Sequence, residues 1–254
     1  MKSPLKDARH KNLARGLLRT IITPGSRVNS YGIFSGHTEL SLSHSDLKIC
    51  CYTEKDVIYQ FWECLCEDPY RLHSLLMDRS FKFKHAREFV TLQESLPLYS
   101  DSYIRSSLFF LLNRCSATGQ VSCGEFDRKN YNVAALNKLK IFRKPVNFNV
   151  LKLKGSLLEH IKSAHDVDFI LVPNLIFSYN LLKLGKSIGY DSYAYTPSDL
   201  KEALDHQGTP VALVFNKHPS VFSFFENFNF RLVGPAGRLT TDKDACEEII
   251  VTNF

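Results

Sequence analysis

Leu108-Phe109-Phe110-Leu111-Leu112-Asn113-Arg114 is the stretch on which the reading of this chain turns. It closes a helix expected over residues 102–114, because Ile104, Leu108, Leu111 and Leu112 recur at three- and four-residue spacing and share one side. The residues after it, 116–132, hold two glycines and many polar side chains and read as loop. Toward the N-terminus the helical pattern continues. Val57, Ile58, Phe61, Trp62 and Leu65 mark a helix over 56–66, and 69–78 and 83–96 are further helix candidates.

On both sides of this helical middle the pattern changes. A short helix over 13–22 stops at Pro24-Gly25, and residues 28–34 then read as a strand that ends at Ser35-Gly36. A second strand is expected over 47–52. After the middle, 168–173 (DFILVP) is a continuous apolar run of the kind buried parallel strands show. A helix over 199–205 follows Thr196-Pro197-Ser198, and 211–215, 230–233 and 247–252 are further strands. The expected fold is therefore α/β, with a discontinuous α/β domain over 1–58 and 145–254 and a helical domain inserted over 59–144.

Composition sets bounds without deciding function. The chain has 254 residues, 44% hydrophobic and 23% charged, which is enough to bury a full core. No apolar run approaches the roughly 18 residues a membrane span requires, and residues 1–12 are polar and basic rather than signal-like. The expected location is the cytoplasm. Seven cysteines without framework or CxxC spacing point to reduced thiols, and no His/Cys grouping has the spacing of a metal site. The net charge of +6 permits binding to nucleic acid.

Taken in order, several short stretches resemble the Dam-type DNA adenine methyltransferases of bacteria and phages. Residues 108–114 followed by Gly124-Glu125-Phe126 are similar to that family's Leu-Phe-aromatic-Leu-Asn-Arg helix end and the Gly-x-Phe-Asn loop after it. Leu5-Lys6-x-Ala8-x-x-Lys11 is similar to its opening Leu-Lys-Trp-Ala-Gly-Gly-Lys. Ile33-Phe34-Ser35-Gly36 falls where the family has its first glycine-rich strand end, and Thr209-Pro210-Val211 and Glu247-Glu248-Ile249-Ile250 fit its closing strands. The resemblance implies a Rossmann-like fold for binding S-adenosylmethionine (SAM), its last strand antiparallel, with a helical target-recognition domain inserted.

The same resemblance shows what is missing. A methyl-donor site needs a glycine-rich turn that lets the cofactor approach backbone. The family pattern acidic-x-Phe-x-Gly-x-Gly reads Gly32-Ile33-Phe34-Ser35-Gly36-His37-Thr38 here, so the acid and one glycine are gone. The carboxylate that holds the ribose falls on Tyr52, with Glu54 two residues on. The catalytic Asp-Pro-Pro-Tyr loop falls on Pro173, Asn174, Leu175 and Ile176, without an acid to accept the hydrogens of the target amine and without the aromatic ring that stacks on a flipped base. The opening motif keeps Lys11 but has Asp7, Arg9 and His10 in place of the tryptophan and the two glycines.

No catalytic residue is thus assigned. Lys11, Phe34, Gly36 and Tyr52 mark a vestigial SAM site, and Tyr52 or Thr38 is expected to intrude on it. Asn113, Arg114, Arg128 and Lys129 are the DNA-contact candidates, though Asn113 and Arg114 serve equally as helix caps. The expected protein is an inactive methyltransferase homologue needing no cofactor. Its expected partner is double-stranded DNA, another protein or a phage virion or replication assembly. Two other readings stay open. One is an active enzyme using Asn174, Asp166 or Asp168, which would require SAM. The other is a protein-binding scaffold without DNA affinity.

Overall fold

The computed structural model describes residues 2–78, 85–164, 166–178, 189–193, 195–205 and 208–254. An eight-stranded sheet in the order β3-β2-β1-β4-β5-β8-β6-β7 organises it. The strands are β1 (Arg27–Tyr31), β2 (Lys48–Thr53), β3 (Phe148–Lys152), β4 (Phe169–Leu175), β5 (Val211–Asn216), β6 (Asn229–Val233), β7 (Leu239–Thr240) and β8 (Glu248–Thr252). The first five run parallel, and β8 lies antiparallel between β5 and β6. One antiparallel strand wedged beside five parallel ones is the arrangement expected of the Rossmann-like SAM-dependent methyltransferase fold.

The two faces of the sheet are separated by the strand period of two. Val28, Ile49, Cys51, Phe169, Leu171, Ala212, Val214 and Ile250 face one core. Tyr31, Ile170, Val172, Val211, Leu213, Phe215, Ile249 and Val251 face the other. β4 and β5 are buried on both faces, which explains why their sequences read as unbroken apolar runs.

The first core is capped by α1 (Arg15–Ile21), α2 (His37–Leu42), α3 (Asp56–Glu67), α4 (Pro69–Met77), α5 (Ala86–Ser95), α6 (Ser102–Arg114) and α7 (Val133–Lys140). The second is capped by α8 (Leu157–Lys162), α9 (Pro197–Asp205) and α10 (Pro219–Phe224). Phe83 and Lys84, expected to open the fifth helix, lie outside the described residues. α6 starts at Asp101, whose carboxylate accepts the Ile104 N–H at 2.8 Å. The domain boundary expected at Tyr59 falls inside α3, whose Trp62 ring packs on Phe148 of β3 at 5.6 Å between centroids. Sheet and inserted helices share one apolar core.

No helix of the described residues is long and apolar enough to cross a membrane. All seven cysteines are free thiols, and no cluster of metal-ligand residues occurs among the described residues.

Candidate functional site

In parallel sheets of this kind, ligands sit outside the carboxyl ends of the strands. β1 and β2 end side by side here, Tyr31 being in register with Tyr52, and β4 runs past them to Leu175, Ser30 being in register with Leu171. Just past β1 the chain turns through Gly32 (φ +80°) and Gly36 (φ +66°), conformations that suit glycine. Gly32 is closely covered by side chains from a remote segment. A Cβ there would lie 3.2 Å from the Tyr195 hydroxyl and 3.7 Å from the Tyr193 ring. At Gly36 a Cβ would lie 2.5 Å from the Trp62 ring, whose Nε1–H donates to the Phe34 carbonyl at 2.9 Å.

Tyr193 and Tyr195 lie over these strand tips. Their rings stack 5.9 Å apart. The Tyr193 hydroxyl donates to the Ile33 carbonyl at 2.6 Å and meets Thr53 Oγ1, at the tip of β2, at 2.5 Å. Burial pushes both phenols well above their ordinary pKa. The segment that carries them is tied down from the helical side as well. The buried Asp191 carboxylate accepts the Val121 N–H at 2.7 Å, the Ser122 N–H at 3.2 Å and the Ser122 hydroxyl. Tyr190 donates its hydroxyl to the Gln93 carbonyl at 2.9 Å. Tyr190, Asp191, Tyr193 and Tyr195 thus form a strap from the loop after α6 to the tips of β1 and β2. These contacts were not anticipated from sequence. Their one signal was three tyrosines, Tyr190, Tyr193 and Tyr195, within six residues.

The four residues expected to mark a SAM site are placed as follows. Lys11 forms an ion pair with Glu247. Phe34 is buried against Phe109, with the Arg9 guanidinium 4.9 Å over its ring. Gly36 holds the Trp62 contact. Tyr52 points to the other face of the sheet, stacked on Tyr31 at 5.2 Å and against His160 at 4.5 Å, while the Tyr31 hydroxyl meets His160 Nδ1 at 2.8 Å. The intrusion expected of Tyr52 or Thr38 therefore comes from Tyr193 and Tyr195. Thr38 is buried beside Asn12, at 3.4 Å. Glu54 is exposed and bonded to Lys55 at 3.2 Å. A methyl donor needs open backbone at the turn and a carboxylate aimed at its ribose. The residues present do not fit that group: rings cover the turn, and Thr53 at the tip of β2 is engaged by Tyr193.

β4 runs two residues farther than expected, because Leu175 pairs with Phe215 after a register shift. Asn174 sits in that bulge at φ +61°, with Nδ2 buried and unpartnered. Pro173 and Leu175 are buried and Ile176 is half exposed. Counted from Asn174, an aromatic residue does stand three positions on, at the spacing of Asp-Pro-Pro-Tyr. It is Phe177, whose ring is packed among Phe215, His218, Phe224 and Phe225. Asp168 lies at the opposite end of β4, roughly 20 Å away at the usual strand rise. There its carboxylate accepts the Arg27 N–H at 2.7 Å. Asp166 precedes it on the same side, so neither supplies an acid at the tips.

Behind the turn, Glu39 of α2 is fully buried. Ser30 donates to its Oε1 at 3.2 Å and Oε2 has no partner. Burial pushes its carboxyl up to about 7.

On the helical side, Asn113 is buried. Its amide accepts the Lys6 N–H at 2.7 Å and donates to the Lys6 and Gly119 carbonyls at 2.8 and 2.6 Å. Asn113 therefore joins the N-terminal segment to the end of α6. Arg114 is half-buried, its Nε donating to the Asn130 carbonyl at 3.2 Å. Arg128 and Lys129 are exposed in the short turn 128–130.

No protein-family model matches the chain, and no curated protein sequence is similar to it. Among solved structures, TehB from Haemophilus influenzae is similar at 11% identity and a TM-score of 0.36, over 96% of this chain and 61% of that one. The precorrin-6y C5,15-methyltransferase from Geobacter metallireducens is similar at 10% identity and a TM-score of 0.33, over 94% of this chain and 85% of that one. Such distant likenesses carry no argument about activity; the strand order and directions of this chain define its fold.

Proposed function

We propose that this chain is a degenerate relative of the Dam-type DNA adenine methyltransferases that has given up methyl transfer and acts as a DNA-binding protein. One observation carries the reading: Tyr193 and Tyr195, hydrogen-bonded and stacked, occupy the space over the glycine turn where this fold seats its donor. DNA is the proposed partner because Arg128 and Lys129 stand exposed on the loop after α6, beside Arg114, where the resemblance puts target recognition.

Calorimetric titration with SAM and transfer of labelled methyl groups to duplex DNA test the first half. No heat and no label are expected; micromolar SAM binding or methylated adenine overturns it. A gel shift on duplex DNA tests the second half. Binding should weaken steeply from 50 to 200 mM salt, because displaced counterions drive it. The pair Arg128→Gln/Lys129→Gln should weaken it further without changing the fold.

Asn174 favours a second reading, retained chemistry. It brings a side-chain amide to the tip of β4, and in this reading the amide oxygen would accept a hydrogen of the target amine. Activity by that route requires the strap to leave the strand tips, and the same methyl-transfer assay separates the two readings.

A further inference from the structure

Next to the glycine turn is a cleft of about 370 Å³. Six basic side chains line it: Lys2, Lys6, Arg15, His37, Arg114 and Lys138. They come from the N-terminal segment, α1, the start of α2, the end of α6 and α7, so the fold alone brings them together. No salt bridge among the described residues engages Lys2, Lys6, Arg15, Arg114 or Lys138. The single acid in the lining, Asp7, is turned to Arg9 at 3.4 Å and to Ser35 at 3.5 Å. Lys6 is pinned by the Ser116 and Ala117 carbonyls at 3.1 and 2.6 Å. His37 Nδ1 is buried and has no hydrogen-bond partner.

The cations act on one another. His37 is held below the ordinary histidine pKa by burial, and Arg15, Lys138 and Arg114 push it the same way against the pull of Asp7. Lys6 is lowered by burial and by Arg114, with Asp127 opposing. Like charges gathered in a concave, partly desolvated place repel more than they would on an open surface.

We infer that this cleft is an anion site built for an oligophosphate, meaning two or three linked phosphoryl groups. A carboxylate brings one charge and two oxygens to six donors. A phosphodiester in a duplex brings one charge per phosphate, spaced along the strand at about 3.4 Å of helix axis. A terminal oligophosphate brings several charges and many acceptor oxygens to one point, which matches a focused cluster. Arg128 and Lys129, the proposed DNA contacts, do not line the cleft, and Arg114 belongs to both.

Titration calorimetry with sodium tripolyphosphate at low salt tests it on the whole chain. Micromolar binding is expected, and Arg15→Gln/Lys138→Gln should weaken it at least tenfold. Both residues are exposed, so the variant should keep its circular dichroism and melt cooperatively, no lower than the parent. Lys48→Gln/Lys154→Gln, remote exposed charges, should bind as the parent does. Absence of binding by the parent, or equal affinity in the Arg15/Lys138 variant, overturns the assignment even if duplex DNA still binds through Arg128 and Lys129. Comparing ATP with 5′-triphosphorylated and 5′-hydroxyl oligonucleotides identifies the source: tighter ATP binding marks a free nucleotide, and tighter binding of the triphosphorylated strand marks a nucleic-acid end.

Discussion

The glycine turn at the strand tips and the basic cleft beside it are joined by the single bond between Gly36 and His37, yet they are finished in opposite ways. At the tips, the uncharged rings of Tyr193 and Tyr195 fill the space, and the hydroxyl of Tyr193 finds partners in the turn after β1 and at the end of β2. In the cleft, six basic groups face one another and one ring nitrogen has no partner. Folding by itself favours the first arrangement, since it buries apolar surface and satisfies the polar atoms that go with it. It disfavours the second. A filled place is stable without a ligand, whereas a cluster kept at a cost in repulsion points to one.

The contrast can be broken or sharpened at four points. The largest effect is expected from Asp191→Ala. It strands the Val121 and Ser122 N–H groups in a buried place and releases the strap, at a cost of about 4 kcal/mol in urea unfolding. A loss below about 1 kcal/mol would mean that the strap is not anchored there.

Glu39 comes next. Its carboxyl titrates near 7 in the folded protein against 4.5 for the ordinary group, so the folded state binds this proton more tightly than the unfolded chain. Its contribution to stability is full below pH 4.5, declines as pH rises and is gone above 7. Glu39→Gln should therefore leave stability unchanged at pH 4 and raise it by about 3 kcal/mol at pH 8, read from paired denaturation curves. Parallel curves for the two proteins from pH 4 to 8 would contradict this.

Tyr193→Phe removes one hydroxyl and leaves the Thr53 hydroxyl and the Ile33 carbonyl to find other partners, for a loss of about 1 kcal/mol. The ring stays, so SAM should still produce no heat; donor binding gained by this change would show that the hydroxyl alone closes the site. The smallest effect is expected from Arg15→Gln/Lys138→Gln, which relieves repulsion. The melting temperature should rise by about 1–2 °C at low salt, and the gain should vanish at 1 M salt. A fall instead would mean that these charges are already balanced.

How much of this was legible depended on the kind of residue. α6 was read to its last residue, because apolar spacing set its length and Asp101 supplied its cap. β5 and β8 were read to within one residue, being buried on both faces. α2, α7, β3, α8, α10 and β7 were not read at all. Three of them are six-residue helices with too few turns for a period to show, and β3 is an edge strand with mixed exposure. The tip of β4 was placed two residues short, because the pairing of Leu175 with Phe215 is a long-range contact that no local pattern carries.

The candidate site divides in the same way. The departures from the Dam-type pattern at Gly32–Thr38, Tyr52 and 173–176 could be read from residue types alone. That Asn113 serves backbone rather than solvent could not, since its partners Lys6 and Gly119 are fixed by the meeting of distant segments.

By itself, then, the chain's order of residues determined where most strands and long helices form and where it departs from the Dam-type pattern, because periodicity and residue type are local properties. Tertiary structure alone decided that Tyr193 and Tyr195 cover the glycine turn and that six basic groups from five segments share one cleft. Both depend on which remote segments the sheet and its helices bring side by side, and proximity in space is settled only when the whole core packs.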